Sequence, residues 1–504
     1  MTMEDIIILN PDYFFKNDSY RILVLSKHNV KPISSKNWGS FIHPTQAIIL
    51  SFFLKADYLS NTVKSISKNL RIKEESVHNF ISAYIENPTS IYTSFKNEKI
   101  VFPKNFLIKA DNPNQLHPQN GITIPDLTCH KDIDITSQRI CTSPIDMTFM
   151  LTNRCSTNCI YCYADIHTKV TNELPAERYI TIIEEAKKLN LRNIEIIGGE
   201  IFMKKGWGKI LTALVKYNFS PSYISTKIPL NTVTLEKINR SNYTNTIQFS
   251  LDSLNEGSLS KILGVNFNYL LNIKNSIKLA DKLGNPIRIT TILTRYNTDI
   301  DQIRELYEFI STLDHIKEWE VRIAMNSLYV NYKNINDLKA DRSAIVEVMQ
   351  YIMENLMSAS KFEISITDIF LNKNEELYKQ TLADDAFKQD RCTALNSQFF
   401  VLPDGKVTLC EQLYWHPEFI IGDLGNESIA SVWNSPRAEL LRNVKQEMVQ
   451  KASHCNSCNI FEHCFNKNRR CWADVLKAYG YSNWSYPDPK CNNANRTKYN
   501  IGYE

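Results

Sequence analysis

Three cysteines within eight residues constrain this chain more than any other feature it has. Cys155, Cys159 and Cys162 follow the spacing C-x3-C-x2-C. They come directly after Asp146–Thr152, a segment whose pattern predicts a strand. Three thiolates on one tight loop can hold three irons of a [4Fe–4S] cluster and leave the fourth iron without a cysteine. Structural zinc is the competitor, but it needs a closed set of four ligands, and His167 is the one nearby candidate. The other cysteines point the same way. Of twelve, none precedes Cys129, none falls between Cys162 and Cys392, and seven lie from Cys392 to Cys491. Clustering of this kind, behind an N-terminus that does not read as a signal peptide, argues for metal or catalysis rather than disulfides.

Length and charge narrow the rest. A chain of 504 residues predicts two or three domains. A net charge of +4 is too mild at this size to argue for nucleic acid, and no apolar run approaches a membrane span. The expectation is a cytoplasmic protein without nucleic-acid or membrane partners.

Residues 1–103 combine the strand candidate Ile22–Leu25, a helix opened by Pro44, and apolar residues at helical spacing (Val63, Ile66, Leu70; then Val77, Phe80, Ile81, Tyr84). Ile91–Phe95 and Lys99–Phe102 then flank a polar turn, a hairpin signal. Together these predict a small winged helix. Residues 104–144 hold scattered prolines without periodicity and read as a linker; Cys129 and Cys141 within it read as idle thiols. From 145 to 330 six strand patterns alternate with helices, which implies a parallel sheet with right-handed crossovers. An open, partial (β/α)6 barrel suits this better than a Rossmann sheet, since no G-x-G-x-x-G follows the first strand. Residues 331–390 read as a helical bridge beginning at Asp341–Ser358, and 391–504 as a cysteine-rich domain. The fold class is therefore α/β.

With these features in place, the chain resembles the radical S-adenosylmethionine (SAM) superfamily. The motif C-x3-C-x2-C carries an aromatic, Tyr161, before its last cysteine. Gly198-Gly199-Glu200 ends the second predicted strand and resembles the family's Gly-Gly-Glu element, which binds the SAM amino group. Two glycines permit close backbone approach, and a carboxylate suits an ammonium. Ile201-Phe202 follows where the family usually has Pro, a departure associated with peptide-modifying members that form thioethers. Thr226 ends the third strand, and Ser250-Leu-Asp252, ending the fourth, resembles the family's Ser-Leu-Asp element. For Thr226 and Asp252, ordinary strand-end capping is an equal reading. Lys261-Ile-Leu-Gly264 aligns with a segment that often carries Arg where Leu263 stands. The resemblance implies a cluster-bound SAM, its reductive cleavage to a 5′-deoxyadenosyl radical, and hydrogen abstraction from a substrate. No catalytic side chain is named by it.

Cys392, Cys410 after the turn Pro403-Asp404-Gly405, then Cys455-x2-Cys458-x5-Cys464, Cys471 and Cys491 resemble the seven-cysteine SPASM extension of radical SAM peptide maturases. The six residues between Cys464 and Cys471 exceed the family's three. The resemblance implies two auxiliary clusters, hence three [4Fe–4S] clusters in all. Cys392, Cys410 and Cys471 would hold the first; Cys455, Cys458, Cys464 and Cys491 the second. The first set lacks a fourth cysteine, so its last position can be open, take another side chain, or bind a substrate thiol. Zinc at the second set is the competing reading, and His416, His454 and His463 read as surface or supporting residues.

Residues 1–103, through His43–Phe53 and the two helices and hairpin after it, resemble the PqqD-like domain that binds leader peptides by adding a strand. DNA binding is the alternative for a winged helix, but Glu74, Glu75 and Glu86 oppose it. The whole implies a maturase of a ribosomally made precursor peptide, with flavodoxin or ferredoxin as electron donor and thioether formation as the product. The alternatives are carbon–carbon crosslinking or epimerisation, a protein maturase of the sulfatase-activating type, and a non-catalytic iron–sulfur regulatory protein.

Overall fold

The computed structural model describes all residues except 1, 28–38, 130–131, 136–138, 326, 330–337, 367–391, 466–469 and 499–504. Much of the expected helical bridge at 331–390, and the His463 side chain, therefore lie outside the described residues. The chain divides into two compact units, Met1–Asp146 with Glu185–Asn193, and Met147–Glu184 with Ile194–Glu504.

The first unit begins with four strands: β1 (Ile6–Leu9), β2 (Tyr13–Asn17), β3 (Ile22–Ser26) and β4 (Gly39–Ile42). Helix α1 (Pro44–Ser51) starts where the sequence places a proline. His43 caps it by accepting from the Thr45 amide (3.2 Å), while the Gln46 side chain accepts from the His43 amide (3.1 Å). After β5 (Asp57–Tyr58) come α2 (Leu59–Leu70) and α3 (Glu74–Ser82), which bury Val63, Ile66, Val77 and Ile81. The hairpin β6 (Ile91–Phe95) and β7 (Glu98–Phe102) comes next. Three helices and a hairpin thus occur in the expected order.

Residues 104–144, expected as a linker, are packed into this unit. Strand β8 (Leu107–Lys109) pairs antiparallel with β1. Phe106 and Leu127 join a core built on Ile7, Phe15, Phe53 and Phe102. The His117 ring is buried against the Tyr13 carbonyl (3.0 Å). Prolines and missing periodicity hide this, because the one short strand finds its partner a hundred residues upstream. Cys129 packs on the same core, and burial pushes its thiol up to about 11.

The second unit holds the alternating elements. Strands β9 (Asp146–Met150) and β10 (Asn193–Ile197) are joined by helix α4 (Ala176–Lys188). They share a sheet with β16 (Gln398–Val401), β17 (Lys406–Thr408) and β18 (Gly422–Asp423), in the order β10-β9-β16-β17-β18. Five strands make the second sheet in sequential order, all parallel: β11 (Tyr223–Thr226), β12 (Thr246–Ser250), β13 (Ile287–Leu293), β14 (Ile316–Ile323) and β15 (Glu363–Ile366). Helices between them bury one apolar face each, as Leu235 and Ile238 do in Thr232–Arg240. The parallel sheet extends past residue 330: β15 adds beside β14, in a region read as a helical bridge with no strand assigned. Asp341–Ser358, read as one helix, is α-helical over Arg342–Tyr351 and continues as a π-helical turn. Among the described residues no helix is long and apolar enough to cross a membrane.

Candidate functional site

The cysteine loop leaves β9 and is clamped from two sides by backbone. The Gly199 amide donates to the Thr152 carbonyl (2.7 Å) and the Glu200 amide to the Arg154 carbonyl (2.8 Å). A Cβ at Gly199 would stand 2.4 Å from the Arg154 carbonyl oxygen, so only glycine permits the approach. On the other side the amides of Asn158 and Ile160 donate to the carbonyls of Leu263 and Ile262, at 2.9 Å each. Helix Glu256–Leu263, absent from the sequence reading, supplies those carbonyls and ends at Gly264 with φ +66°. Leu263 is fully buried.

The clamp gathers the thiols. Thr157 Oγ1 lies 3.3 Å from Cys155 Sγ and 3.4 Å from Cys159 Sγ. Cys162 is near enough that its charge raises the Cys159 pKa, while the Cys155 charge raises that of Cys162. Burial, opposed by Lys227, pushes the Cys159 thiol up to about 11; bound iron would reverse that by taking the thiolate. Among the described residues no three His, Cys, Asp or Glu side chains close on one point as a single metal ion requires. A cubane holds its thiolates further apart, and two sulfurs bracketing the Thr157 hydroxyl, with the Cys162 charge acting on Cys159, fit it. His167 is exposed and turned to the Asp165 loop.

Glu200 is buried at the mouth between the strand ends. Its carboxylate accepts from the Lys227 amide (3.0 Å) and the Thr226 hydroxyl (3.1 Å), joining the ends of β10 and β11. Burial, partly offset by these bonds, pushes its pKa up to about 7. Asp252 is fully buried just past β12. It accepts from the Ile292 amide (2.9 Å) and from the Tyr161 hydroxyl (2.5 Å). Lys227 Nζ lies 2.5 Å from that hydroxyl and 3.5 Å from Asp252. Burial alone would lower the Lys227 pKa, but Asp252 and the thiols of Cys159 and Cys162 leave it raised. Thr226 and Asp252 thus do more than cap strand ends: one orients Glu200, the other anchors Tyr161 and Lys227. Ser250 sits half-buried at the last register position of β12, opposite Thr290.

Sequence reasoning missed Lys227, although its place directly after a strand-end threonine was a usable signal. It also missed a charged row. Glu318, Glu320 and Arg322 alternate along β14 and share one face. Arg288 on β13 meets Glu318 (3.2 Å) and Glu320 (2.9 Å), and Arg322 meets Glu320 (2.8 Å). Half-buried Arg288, Glu318 and Glu320, with the exposed Arg322, line a polar sheet face rather than a core.

The remaining cysteines form two groups. The charges of Cys392 and Cys471 both act on Cys410, and burial pushes Cys410 and Cys471 up to about 12. Gly405, at φ +91° in the turn before Cys410, could carry no Cβ without meeting Asp423 and the Gly425 amide at 2.8 Å. Cys455, Cys458, Cys464 and Cys491 line one recess. Gln446 ties the first two by donating to both carbonyls (3.0 and 2.9 Å). His416 is buried rather than a surface residue, bonded to the Tyr481 carbonyl (2.8 Å) and stacked on that ring. His454 bonds the Asn493 carbonyl (3.1 Å).

Comparison with known proteins finds two family matches. Residues 149–310 match the Radical SAM superfamily, and 392–459 match the SPASM iron–sulfur cluster-binding domain. GTP 3′,8-cyclase of Synechocystis is 27% identical over 175 residues, 34% of this chain and 50% of that protein; the chain thus spans about half the length of such cyclases. The mycofactocin maturase MftC of Mycolicibacterium smegmatis is 21% identical over 69% of this chain and 83% of its own length. The Bacillus subtilis subtilosin biosynthesis protein AlbA is 20% identical over 70% and 71%. In fold, the chain is similar to Streptococcus suis SuiB bound to its precursor peptide SuiA. The TM-score is 0.61 at 17% identity, covering 96% of this chain and all of that one.

Proposed function

We propose that this member of the radical SAM superfamily, an enzyme with a SPASM iron–sulfur domain, modifies a ribosomally made precursor peptide. Similarity to MftC, AlbA and SuiB over most of the chain supports the substrate class. The observation that carries the chemistry is the pairing of Cys155 and Cys159 across the Thr157 hydroxyl, with Cys162 close enough for its charge to act on Cys159, beside the buried Glu200. When bound there, a [4Fe–4S] cluster and SAM supply a 5′-deoxyadenosyl radical that removes a hydrogen atom from the peptide.

The chain's own residues bind and orient. Glu200 offers its carboxylate to the SAM ammonium, held in place by Thr226 and the Lys227 amide. Lys227 is the cation available to the SAM carboxylate, a role Leu263 cannot take. Gly198 and Gly199 keep the Glu200 turn against the cysteine loop, Asp252 fixes Tyr161, and Ser250 lies at the same strand-end rim. Cys392, Cys410 and Cys471, and separately Cys455, Cys458, Cys464 and Cys491, hold two auxiliary clusters, three clusters in all. The first unit binds the leader as a PqqD-like winged helix, and flavodoxin or ferredoxin supplies electrons.

For the product we infer a thioether, in which one hydrogen leaves carbon and one leaves a cysteine thiol. One hydrogen atom would go to 5′-deoxyadenosine; the other would depart as a proton and an electron, and Cys392, Cys410 and Cys471 would hold the auxiliary cluster that could accept that electron. The Ile201-Phe202 departure and the three-cysteine first set support this choice. The test is anaerobic incubation of the reconstituted chain with SAM, a reductant and a cysteine-bearing peptide encoded beside its gene. Formation of 5′-deoxyadenosine with a peptide two hydrogens lighter and one thiol blocked is expected. A lighter peptide with its thiols free means carbon–carbon crosslinking, an unchanged mass with a D-residue means epimerisation, and no 5′-deoxyadenosine sinks the reading.

A further inference from the structure

Arg470 is 4% exposed, yet among the described residues no carboxylate forms an ion pair with it. Its guanidinium sits in the corner of two perpendicular rings, 3.4 Å from the Phe465 centroid and 3.8 Å from that of Trp472. The two rings hold the group in place. One terminal nitrogen donates to the Tyr486 carbonyl and the other to the Trp484 carbonyl, both at 3.2 Å. The third nitrogen, Nε, is buried with no hydrogen-bond partner among the described residues. Arg470 also lines the recess that Cys455, Cys458, Cys464 and Cys491 share, and the first two charges acting on it are the thiols of Cys455 and Cys464. Asp488 is the nearby acid, but its two oxygens accept from the Cys471 amide (2.8 Å) and the Lys490 amide (2.9 Å).

A buried cation with no direct carboxylate partner, and a buried donor with no acceptor, among the described residues are each costly and call for a partner. The recess has the chemistry to provide one. Four thiolates around a [4Fe–4S] core carry net negative charge, and hydrogen bonds to cluster sulfur together with local charge are what tune such a cluster's potential. The donor set therefore fits the group on two counts, the four converging cysteines and the orphaned Nε–H.

We propose that Arg470 is the positioning and charge-compensating residue of this second auxiliary cluster, donating from Nε to one of its sulfurs and raising its reduction potential. The proposal rests on the reading that Cys455, Cys458, Cys464 and Cys491 hold an iron–sulfur cluster. Adding one electron to the cluster adds one negative charge beside a fixed guanidinium, so the reduced form gains more than the oxidised one. The extra residues between Cys464 and Cys471, a departure from the SPASM spacing, are what end in this arginine.

The experiment is a dithionite titration of the full, anaerobically reconstituted chain, followed by electron paramagnetic resonance, with iron and sulfide counted on each sample. The cluster's signal is identified as the one lost in a Cys455→Ala/Cys458→Ala control. In Arg470→Met the reduction equilibrium should weaken at least tenfold, about 59 mV lower for a one-electron couple, with Arg470→Lys in between. Full iron with an unshifted signal overturns the proposal. If Arg470→Met drops the cluster, the Lys variant decides: recovery of the lost iron supports charge compensation, while equal loss in both, with a lowered melting temperature of the whole chain, assigns Arg470 to packing and overturns it. A control that keeps all its iron refutes the ligand set itself, a different failure from that of Arg470.

Discussion

Replacing Glu200 with Gln should separate what this residue does for SAM from what it costs the fold. Burial raises its pKa from the ordinary 4.5 to about 7, so the folded chain holds a proton that the unfolded chain releases earlier. Between those two values the folded state binds more protons than the unfolded one, and stability must fall as pH rises. At 1.36 kcal/mol per pH unit, the loss at pH 8 relative to pH 4.5 is at most ~3 kcal/mol. Glutamine removes the ionisation. Its oxygen can still accept from the Lys227 amide and the Thr226 hydroxyl, and its amide nitrogen then faces the long 3.4 Å contact from the Phe202 amide. Losing that contact costs about 1 kcal/mol, leaving a net gain of about 1–2 kcal/mol at pH 8 and none at pH 5. Thermal melts of the reconstituted protein without SAM, at both pH values, read the difference. SAM affinity should move the opposite way, because a hydrogen bond to a charged partner contributes about 1.5–3 kcal/mol, roughly ten- to a hundredfold. A variant that melts below wild type at pH 8, or that binds SAM as tightly, would refute the reasoning.

Lys227→Met strands the fully buried Asp252 and should cost about 3 kcal/mol as well as SAM affinity; unfolding midpoints and equilibrium dialysis check both. Gly199→Ala forces a Cβ onto the Arg154 carbonyl, so purified protein should carry about four fewer irons while its auxiliary signals persist. Cys155, Cys159 and Cys162 changed together to Ala should abolish 5′-deoxyadenosine and leave the auxiliary iron; continued SAM cleavage would displace the radical cluster from this loop.

The strands and helices between 145 and 330 were legible because their apolar period changes at glycines, prolines and asparagines, so Asn193–Ile197 and Ile287–Leu293 coincide with the sequence reading. The C-x3-C-x2-C loop was legible from its spacing, whereas the two C-terminal cysteine sets came from the resemblance to the SPASM extension. Long-range pairing was not. Ile6–Leu9 is a strand because Leu107–Lys109 lies beside it, and Glu363–Ile366 because β14 does. Neither four-residue segment nor three-residue partner carries enough local pattern to declare itself. Lys227, Arg470 and the charged face of β14 were invisible for a related reason: a charged side chain in sequence reads as solvated surface until the fold removes the water. The same pairing bears on experiment. Removing residues 1–103 would strip β1 from β8, so leader recognition is better tested by trimming the peptide, whose affinity for the intact enzyme should fall.

The most direct test of the central claim is iron, sulfide and zinc counted together on the full chain purified and reconstituted without oxygen. Three clusters held by the three cysteine groups predict close to twelve irons, about four for each, with matching sulfide and no zinc. About four irons with stoichiometric zinc would keep the radical site, make the C-terminal cysteines structural, and contradict both the auxiliary clusters and the role of Arg470.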